Sequence, residues 1–363
     1  MPGSSIGQRL VLTSFGESHG ICVGAVLDGC PAGLELDEND IQKMLNLRKP
    51  GQSLVSTQRK EEDKVEILSG VFRGYTTGAP IAMIIWNADH DSRAYEQLKT
   101  KMRPGHSDYP ALIKYKKFND FRGGGRFSGR LTATHVMGGA IARKLLKTTL
   151  GIETNSYTLQ VGKIRMSKVT QQMMKMIYSN EVRCPDKNIA KKMRDIILAA
   201  RKKGDSLGGV IESVTTNLPV GLGEPIFGSL ESDLGKALFS IPAVKGIEFG
   251  SGFGGAEAFG SQNNDPYMVK NGKIVTKTNN AGGILGGLSN GMPIVLRIAF
   301  KPASSILKKQ TTIDIKTKKP TSLQVTGRHD PCVVPRAPPV VDSLVSLVLA
   351  DHALQGGFIK PVL

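Results

Sequence analysis

The chain has 363 residues, of which 40% are hydrophobic and 22% charged, a composition that supports a large buried core. Such a composition excludes a disordered or collagen-like protein. The formal net charge of +17 favours anionic partners such as nucleic acid, a membrane surface or a phosphorylated small molecule. No apolar run approaches the roughly 18 residues of a membrane helix, and no secretory signal is visible, so we expect neither.

The cysteines and histidines predict neither a metal site nor a disulfide framework. Cys22, Cys30, Cys184 and Cys332 form no Cys-x-x-Cys pair, and the 6 histidines have no metal-ligand spacing with them. Cysteines that form no disulfide framework are typical of a reducing compartment, so we expect a cytoplasmic protein.

Two segments carry much of the positive charge. Residues 187–203 place apolar side chains on one helical stripe, and residues 308–319 predict an exposed hairpin or loop. A nucleic-acid-binding surface more often interleaves aromatic side chains with basic ones, and neither segment contains any. We interpret both segments as solvated faces, which leaves nucleic-acid binding as a second hypothesis.

Apolar alternation predicts strands, and capping residues with helical apolar spacing predict helices. In chain order, the predicted elements are a strand at residues 23–27, a helix after Asp37, strands at 65–68 and 81–85, a helix at 132–150 that stops at Gly151, a helix after Asp186, strands at 210–214 and 294–298, and a helix at 340–354. This order shows no regular β-α-β alternation, which favours an α+β fold over a doubly wound sheet. No linker or short-period repeat divides the chain, so we expect a single domain over residues 1–363.

One glycine-rich segment matches the dinucleotide-binding pattern G-x-G-x-x-G. Residues 250–255 follow a strand-like stretch, but the next ten residues are too short and too polar for the helix that such a site requires. No acidic residue ends a second strand about 20 positions later. We therefore do not expect a Rossmann-type site.

Six other segments combine turn-forming residues with charged or catalytic side chains. They are residues 15–20, 103–106, 122–130, 279–291, 301–305 and 327–331. Each is weak alone, because a histidine in a turn is more often a cap or a surface residue. A Ser-His-Asp hydrolase built from Ser18, His19 and Asp330 is disfavoured, since Ser18 is not in a G-x-S-x-G elbow. Together the segments predict a ligand with several negative charges, because arginine binds phosphate and carboxylate in a bidentate manner.

Taken in order, these segments resemble the chorismate synthase family. The stretches that carry the resemblance are GESHGICVGAVLDGCPAG, LRKPGQSLVSTQRKEEDKVEILSGVF, RPGHSDY, RGGGRFSGR, AVKGIEFGSGF, AGGILGGLSNG, KPASS and GRHDPCVVPRA, which run from residue 7 to about residue 354.

The resemblance implies a lyase that converts 5-enolpyruvylshikimate 3-phosphate into chorismate and phosphate by trans 1,4-elimination, the last common step of the shikimate pathway. It implies reduced FMN as cofactor without net redox change, and NADPH only indirectly as a flavin reductant. It further implies an α+β domain with helices sandwiched between two antiparallel sheets, and a homotetramer. The competing classes are a nucleic-acid-binding protein and a flavin oxidoreductase that consumes NAD(P)H.

Catalytic roles follow from the resemblance by motif position. His19 is expected to protonate the departing phosphate, and His106 to protonate or hydrogen-bond the reduced flavin near N1; both roles suit an imidazole. Asp330 is expected to keep the flavin N5 in the state that takes the C6 proton, with Ser18 and Ser128 orienting these groups.

Binding roles are carried over in the same way. The expected substrate-binding residues are Arg48, Arg103, Arg130 and Arg328. The expected FMN-binding residues are Arg126, Phe127, Ser128, Pro242, Ala243, Gly286, Lys301, Pro302, Ala303, Ser304, Ser305 and Arg328.

Several positions depart from the family pattern. Phe127 and Gly129 stand within a segment that is usually Arg-Ser-Ser-Ala-Arg, Pro242 replaces a usual Asn, and Asp342 replaces a usual Glu. The family arginine six residues after Arg48 is Leu54 here, and leucine offers neither charge nor hydrogen bonds. We therefore expect poor direct use of NADPH and a separate flavin reductase as partner.

Overall fold

The computed structural model of the chain describes residues 3–51, 53, 55–56, 62–88, 93–116, 118–167, 169–325 and 329–363. Leu54 and Arg328, which the sequence analysis singled out, lie outside the described residues.

The first of two large sheets is built from the N-terminal quarter of the chain. Its strands and a small hairpin beside it are β1 (Ser5–Ile6), β2 (Val11–Gly16), β3 (Cys22–Asp28), β4 (Glu66–Ile67), β5 (Val71–Phe72), β6 (Tyr75–Thr76) and β7 (Ile81–Trp86). The sheet order is β1-β2-β3-β7-β4, every pair is antiparallel, and β5 pairs with β6. The strands predicted at 23–27 and 81–85 are confirmed, whereas the one at 65–68 is only two residues long.

The second large sheet comes from the remainder of the chain. Its strands and three further hairpins are β8 (Glu153–Val161), β9 (Ile164–Arg165), β10 (Gly209–Thr216), β11 (Val244–Phe249), β12 (Tyr267–Lys270), β13 (Lys273–Thr276), β14 (Ile284–Leu285), β15 (Leu288–Ser289), β16 (Ile294–Phe300), β17 (Gln310–Asp314) and β18 (Lys319–Leu323). The sheet order is β11-β16-β10-β8-β9, again antiparallel throughout. The basic segment 308–319 enters the β17–β18 hairpin, as its sequence predicts.

Several helices begin or end at capping residues that the sequence indicates. They are α1 (Glu38–Arg48), α2 (Asp108–Tyr115), α3 (Thr132–Leu150), α4 (Gln171–Met174), α5 (Lys187–Lys202), α6 (Leu230–Leu238), α7 (Gly260–Asn263) and α8 (Pro338–Gln355). Asp37 and Asp40 form a capping box at the start of α1, and Asp186 accepts from two backbone N–H groups at the start of α5. Gly151 ends α3 in the left-handed conformation, with φ 67°.

Helices α3 and α8 lie between the two sheets. Helix α3 packs on β2 and β3, α8 packs on β8 and β10, and the two helices pack on each other. A Cβ on Gly138 would lie 2.4 Å from Leu12 Cδ1, and one on Gly139 would lie 2.2 Å from Ser343 Cβ. These two glycines therefore let α3 approach the first sheet and α8 at once. The α+β fold with helices sandwiched between two antiparallel sheets is confirmed.

A single hydrophobic cluster reaches from Leu10 to Ile359 and includes buried residues of both sheets and of the helices between them. Helix α8 is buried on all sides from Pro338 to Ala353. Burial all round is expected of a helix that lies inside a core rather than at its surface. Within the described residues, no helix is long and apolar enough to span a membrane.

The glycine-rich segment 250–255 lies at the end of β11 and continues into a short 3-10 helix, Gly252–Glu257. The surrounding sheet is antiparallel, and the helix α7 that follows has only 4 residues. The segment thus lacks the long helix on which a dinucleotide pyrophosphate would rest.

Asp342 is a carboxyl group buried in the middle of the sandwich. Burial raises its pKa from 3.8 to about 6, although Arg143, Ser156 and Arg183 each act to lower it. Arg143 Nη1 lies 3.5 Å from Asp342 Oδ2, a contact too long to offset the loss of hydration.

We expect Asp342→Asn to change how stability depends on pH. Between pH 4 and about 6 the native state of the wild type binds more protons than the unfolded state, so its free energy of unfolding falls as pH rises. The variant lacks this titration, so its stability relative to the wild type increases by up to about 3 kcal/mol across that window. Urea unfolding at pH 4.5 and 7.5 measures the change. A variant-to-wild-type difference that is the same at both pH values would contradict the assignment.

Candidate active site

A cleft of about 750 Å³ opens beside the sandwich, and loops together with the ends of helices and strands form its wall. These loops come from distant parts of the sequence, at residues 103–107, 123–130, 239–245, 300–305 and 329–340. Each is anchored by an element of the core, which fixes positions that a free loop would not hold.

Most of the residues named from the sequence meet at this cleft. Those on its wall are Ser18, Arg48, Arg103, His106, Arg126, Phe127, Ser128, Arg130, Pro242, Ala243, Lys301, Pro302, Ala303, Ser304, Ser305 and Asp330. His19 and Gly286 are not on the wall. Gly286 lies in the turn between β14 and β15, so its expected contact with flavin stays a prediction.

His19 is buried directly behind the wall. Gly123, which lines the cleft, has φ 57°, and a Cβ at this position would lie 2.2 Å from His19 Cε1 and Nδ1. The same Cβ would lie 2.9 Å from Ser18 Oγ. Glycine is thus required both for the left-handed backbone and for the close approach to the histidine ring.

Asn87 fixes the turn that carries His19. Its Nδ2 donates to the carbonyl oxygens of Glu17 at 3.0 Å and Gly20 at 2.9 Å. Its Oδ1 accepts from Arg130 Nε at 3.0 Å. One buried amide therefore ties the His19 turn to an arginine of the cleft wall.

Arg48 and Arg130 share one buried carboxylate, that of Asp63. Asp63 Oδ2 accepts from Arg48 Nη1 at 2.9 Å, and Oδ1 accepts from Arg130 Nη1. Arg48 also donates from Nε to Thr132 Oγ1 at 3.1 Å and from Nη2 to the carbonyl oxygen of Gly129 at 2.7 Å.

Asp63 and Arg48 stay charged although they are buried. Burial acts to raise the pKa of Asp63, but the charges and hydrogen bonds of Arg48 and Arg130 outweigh it, and the pKa is lowered. Burial lowers the pKa of Arg48 to about 10, with Asp63 acting in the opposite direction. At neutral pH Asp63 and Arg48 are therefore both ionised.

A second carboxylate, Asp108 at the start of α2, contacts both Arg103 and His106. Its Oδ2 accepts from Arg103 Nε at 2.8 Å, and its Oδ1 lies 2.6 Å from His106 Nδ1. Burial acts to raise the pKa of Asp108, yet the hydrogen bonds and charges of Arg103 and His106 lower it far below its usual range. Arg103 Nη1 also donates to Ser305 Oγ at 3.1 Å, which joins this cluster to the loop after β16.

A third pair on the wall is formed by Arg336 and Asp330. Arg336 Nη1 donates to Asp330 Oδ2 at 2.5 Å, and Arg336 Nε donates to the carbonyl oxygen of Arg48 at 3.3 Å. Lys301 Nζ donates to the carbonyl oxygen of Gly105 at 2.5 Å. The loops of the wall are thus connected to one another by cationic side chains.

The cleft strongly favours anions. Among the described residues of its wall, seven are arginine or lysine and one, Asp330, is acidic. They are Arg48, Arg103, Arg126, Arg130, Lys245, Lys301 and Arg336. An excess of cations with low-dielectric walls concentrates negatively charged ligands, so the site suits a small molecule with several anionic groups.

Sequence reasoning missed Asp63, Asn87, Asp108 and Arg336. Asp63 lies in the charged run at residues 60–64, which is typical of a solvated loop. Asp108 stands two residues after His106 in a segment already singled out, so its proximity was a signal that could have found it. Asn87 carries no pattern of its own, and Arg336 lies in the stretch GRHDPCVVPRA with no role assigned to it there. The contacts of both residues are formed only by the fold.

The comparison with known proteins agrees with this geometry. A sequence model of the chorismate synthase family matches residues 10–354. The chain is 53% identical over 356 residues to a chorismate synthase of Korarchaeum cryptofilum, with 98% of each chain covered. It is 51% identical over 361 residues to one of Dehalococcoides mccartyi strain BAV1, with 99% of each covered.

A solved structure described as a crystal structure of chorismate synthase superimposes with a TM-score of 0.76 at 31% identity, covering 96% of this chain and 93% of that one. The residues matched by the family model include every strand of the two large sheets except β1, and all the residues that line the cleft. The chain belongs to the chorismate synthase family of enzymes.

Proposed function

We propose that the protein converts 5-enolpyruvylshikimate 3-phosphate into chorismate and inorganic phosphate by trans 1,4-elimination, with reduced FMN as cofactor. The observation that carries the proposal is one cleft whose wall combines seven cationic side chains with His106 and Asp330. Asp108 lies behind this wall and contacts His106. The substrate has one phosphate and two carboxylates, and such a set of anions requires several cations for its binding.

The residues present fit a flavin nucleotide. A cleft of about 750 Å³ lies within the range of roughly 300–1,000 Å³ that is usual for small-molecule sites. Lys301, Ser304 and Ser305 offer one cation and two hydroxyls for the phosphate tail, while exposed Phe127 offers an apolar face for a flat ring. Reduced FMN, when bound, supplies an electron-rich ring that favours departure of the phosphate.

The protein groups would bind the substrate anions and move protons. Arg103 and Arg130 stand on the cleft wall, where Asp108 and Asp63 hold their guanidinium groups, and there they would contact the substrate anions. His19, behind Ser18 and Gly123, is the proposed acid for the departing phosphate. Asp330, held by Arg336, would set the protonation state of the flavin N5.

We further propose one catalytic domain over the whole chain, assembled as a homotetramer. The continuous hydrophobic core supports the single domain. The hairpin β12–β13 supports self-association, because Tyr267, Val269 and Ile274 are each about 70% exposed and would be shielded by another copy. We place the protein in the cytoplasm with no membrane or nucleic-acid partner. NADPH then acts indirectly, through a separate flavin reductase, a proposal that rests on Leu54.

Anaerobic incubation with dithionite-reduced FMN and 5-enolpyruvylshikimate 3-phosphate tests the reaction. We expect equal amounts of phosphate and chorismate, detected by a phosphate assay and by the absorbance of the product. Oxidised FMN should support no turnover, since the elimination needs an electron-rich flavin. EDTA should leave the rate unchanged. Absence of product with reduced FMN would reject the proposed function, and loss of activity in EDTA would show that a metal is required.

The two histidines are expected to act in the chemical step. His106→Ala and His19→Ala should each lower kcat by about 10²-fold or more, the usual effect of losing a positioned proton donor. Asp330→Asn should also lower kcat, and FMN should still bind to all three variants. Size-exclusion chromatography is the control for intact assembly. Turnover close to that of the wild type in any variant would remove that residue from the mechanism.

A further inference from the structure

We propose that Asp108 is a positioning residue that holds His106, a residue of the cleft wall, in one tautomer, with Nδ1–H donated to Asp108 and Nε2 left as the acceptor. This inference rests on the proposed function, in which His106 exchanges a proton within the cleft. Asp108 itself is not on the cleft wall.

The loop at residues 103–108 is closed by the Asp108 side chain. Oδ2 accepts from the backbone N–H of Arg103 at 3.0 Å and from Arg103 Nε at 2.8 Å. Oδ1 accepts from Arg103 Nη2 at 2.7 Å. The side chain is 10% exposed and that of Arg103 is 3% exposed, so this contact is shielded from water. The Asp108 carboxylate therefore has a fixed position beside Nδ1 of the His106 ring.

Two neighbours of His106 Nδ1 favour opposite protonation states of this nitrogen. Asp108 Oδ1 lies at 2.6 Å and, as a carboxylate oxygen, can only accept. Arg103 Nη2 lies at 3.0 Å and can only donate. The contact with the carboxylate is the shorter of the two. The ionised Asp108 Oδ1 is also a stronger hydrogen-bond acceptor than a neutral Nδ1. Arg103 Nη2 already donates to Oδ1, which has lone pairs for both partners. The geometry therefore favours a proton on Nδ1.

The Cε1–Nε2 edge of the His106 ring lies next to the backbone of Gly124. A Cβ on Gly124 would lie 3.3 Å from His106 Cε1 and 3.4 Å from Nε2. Gly124 has φ 87° and carries no side chain that could cover this edge. With Nδ1 bound to Asp108, Nε2 is the atom that is left to accept or deliver a proton.

A purely structural role for Asp108 makes a different prediction. If Asp108 only anchored Arg103 and the loop, its replacement would alter substrate binding whether or not His106 were present. If it acts through His106, its effect on kcat must disappear once the imidazole is removed, because residues that act as a unit are not additive. The tautomer of His106 separates the two roles without any activity measurement.

The first measurement is ¹⁵N NMR of histidine-labelled protein without flavin, at a pH where the ring is neutral. The His106 signal is identified among the 6 histidines by its loss in His106→Ala. We expect a protonated Nδ1 in the wild type. A protonated Nε2 in the wild type would overturn the proposal, and this arm needs no variant of Asp108.

The second measurement uses Asp108→Asn. Because two Arg103 donors converge on the Oδ2 position, the amide oxygen takes that place and the amide N–H group faces His106 Nδ1. The proton of the ring should then move to Nε2, and kcat should fall by about 10²-fold or more. Asp108→Glu retains the charge and should keep the Nδ1–H tautomer.

Asp120→Asn is the matched control for the NMR signal. Asp120 accepts from the backbone N–H, Nε and Nη2 of Arg122 in the same way, at 3.0, 2.8 and 2.8 Å. Within the described part of the chain its carboxylate pairs with Arg122 rather than with His106. It should leave the His106 tautomer unchanged. A shift as large as that of Asp108→Asn would mean that the loop responds to any lost carboxylate, and would overturn the proposal.

The third measurement is a double-mutant cycle with reduced FMN. In the His106→Ala background, Asp108→Asn should lower kcat no further. Full additivity, or an unchanged tautomer and kcat in Asp108→Asn alone, would overturn the positioning role. An inactive wild type would instead reject the proposed function, and the NMR result would still decide the tautomer.

Discussion

Asp63 lies between two guanidinium groups, with Oδ2 2.9 Å from Arg48 Nη1 and Oδ1 in contact with Arg130 Nη1. Arg48 ends α1, and Arg130 stands just before α3, so one carboxylate joins two elements of the core at the edge of the cleft. Without it, two buried like charges would repel each other, and each would have lost its hydration. The position of the cleft wall therefore depends on this ion pair.

The same principle recurs around the cleft. Asp108 supports Arg103 and His106, and Asp330 binds Arg336. In each case a carboxylate holds an arginine that stands on the cleft wall. Cations that are oriented before binding lose little further entropy when an anion arrives, which favours both affinity and geometry at the reacting centre. An excess of cations remains for the ligand, because the wall carries more arginine and lysine than carboxylate.

Much of the fold could be predicted from local patterns, because the signals are themselves local. The capping box at Asp37, the left-handed Gly151 and the apolar alternation of β10 and β16 each act within a few residues. The residues that line the cleft were predicted from the resemblance to the family, and not from the spacing of residues along the sequence. The charge pairs could not be predicted from the sequence. Asp63 belongs to a run of charged residues that is typical of a solvated loop, and only the fold places it between two arginines that are distant in sequence.

Unfolding of Asp63→Asn in urea tests the central claim most directly. Asn tolerates the left-handed backbone of this position, φ 51°, so the substitution removes the charge and leaves the chain geometry. We expect a loss of about 3–5 kcal/mol, the cost of leaving buried charges unpaired. Asp205→Asn, which breaks the exposed pair with Lys308, should cost less than about 1 kcal/mol. Equal and small losses in both variants would contradict the dependence of the cleft on Asp63.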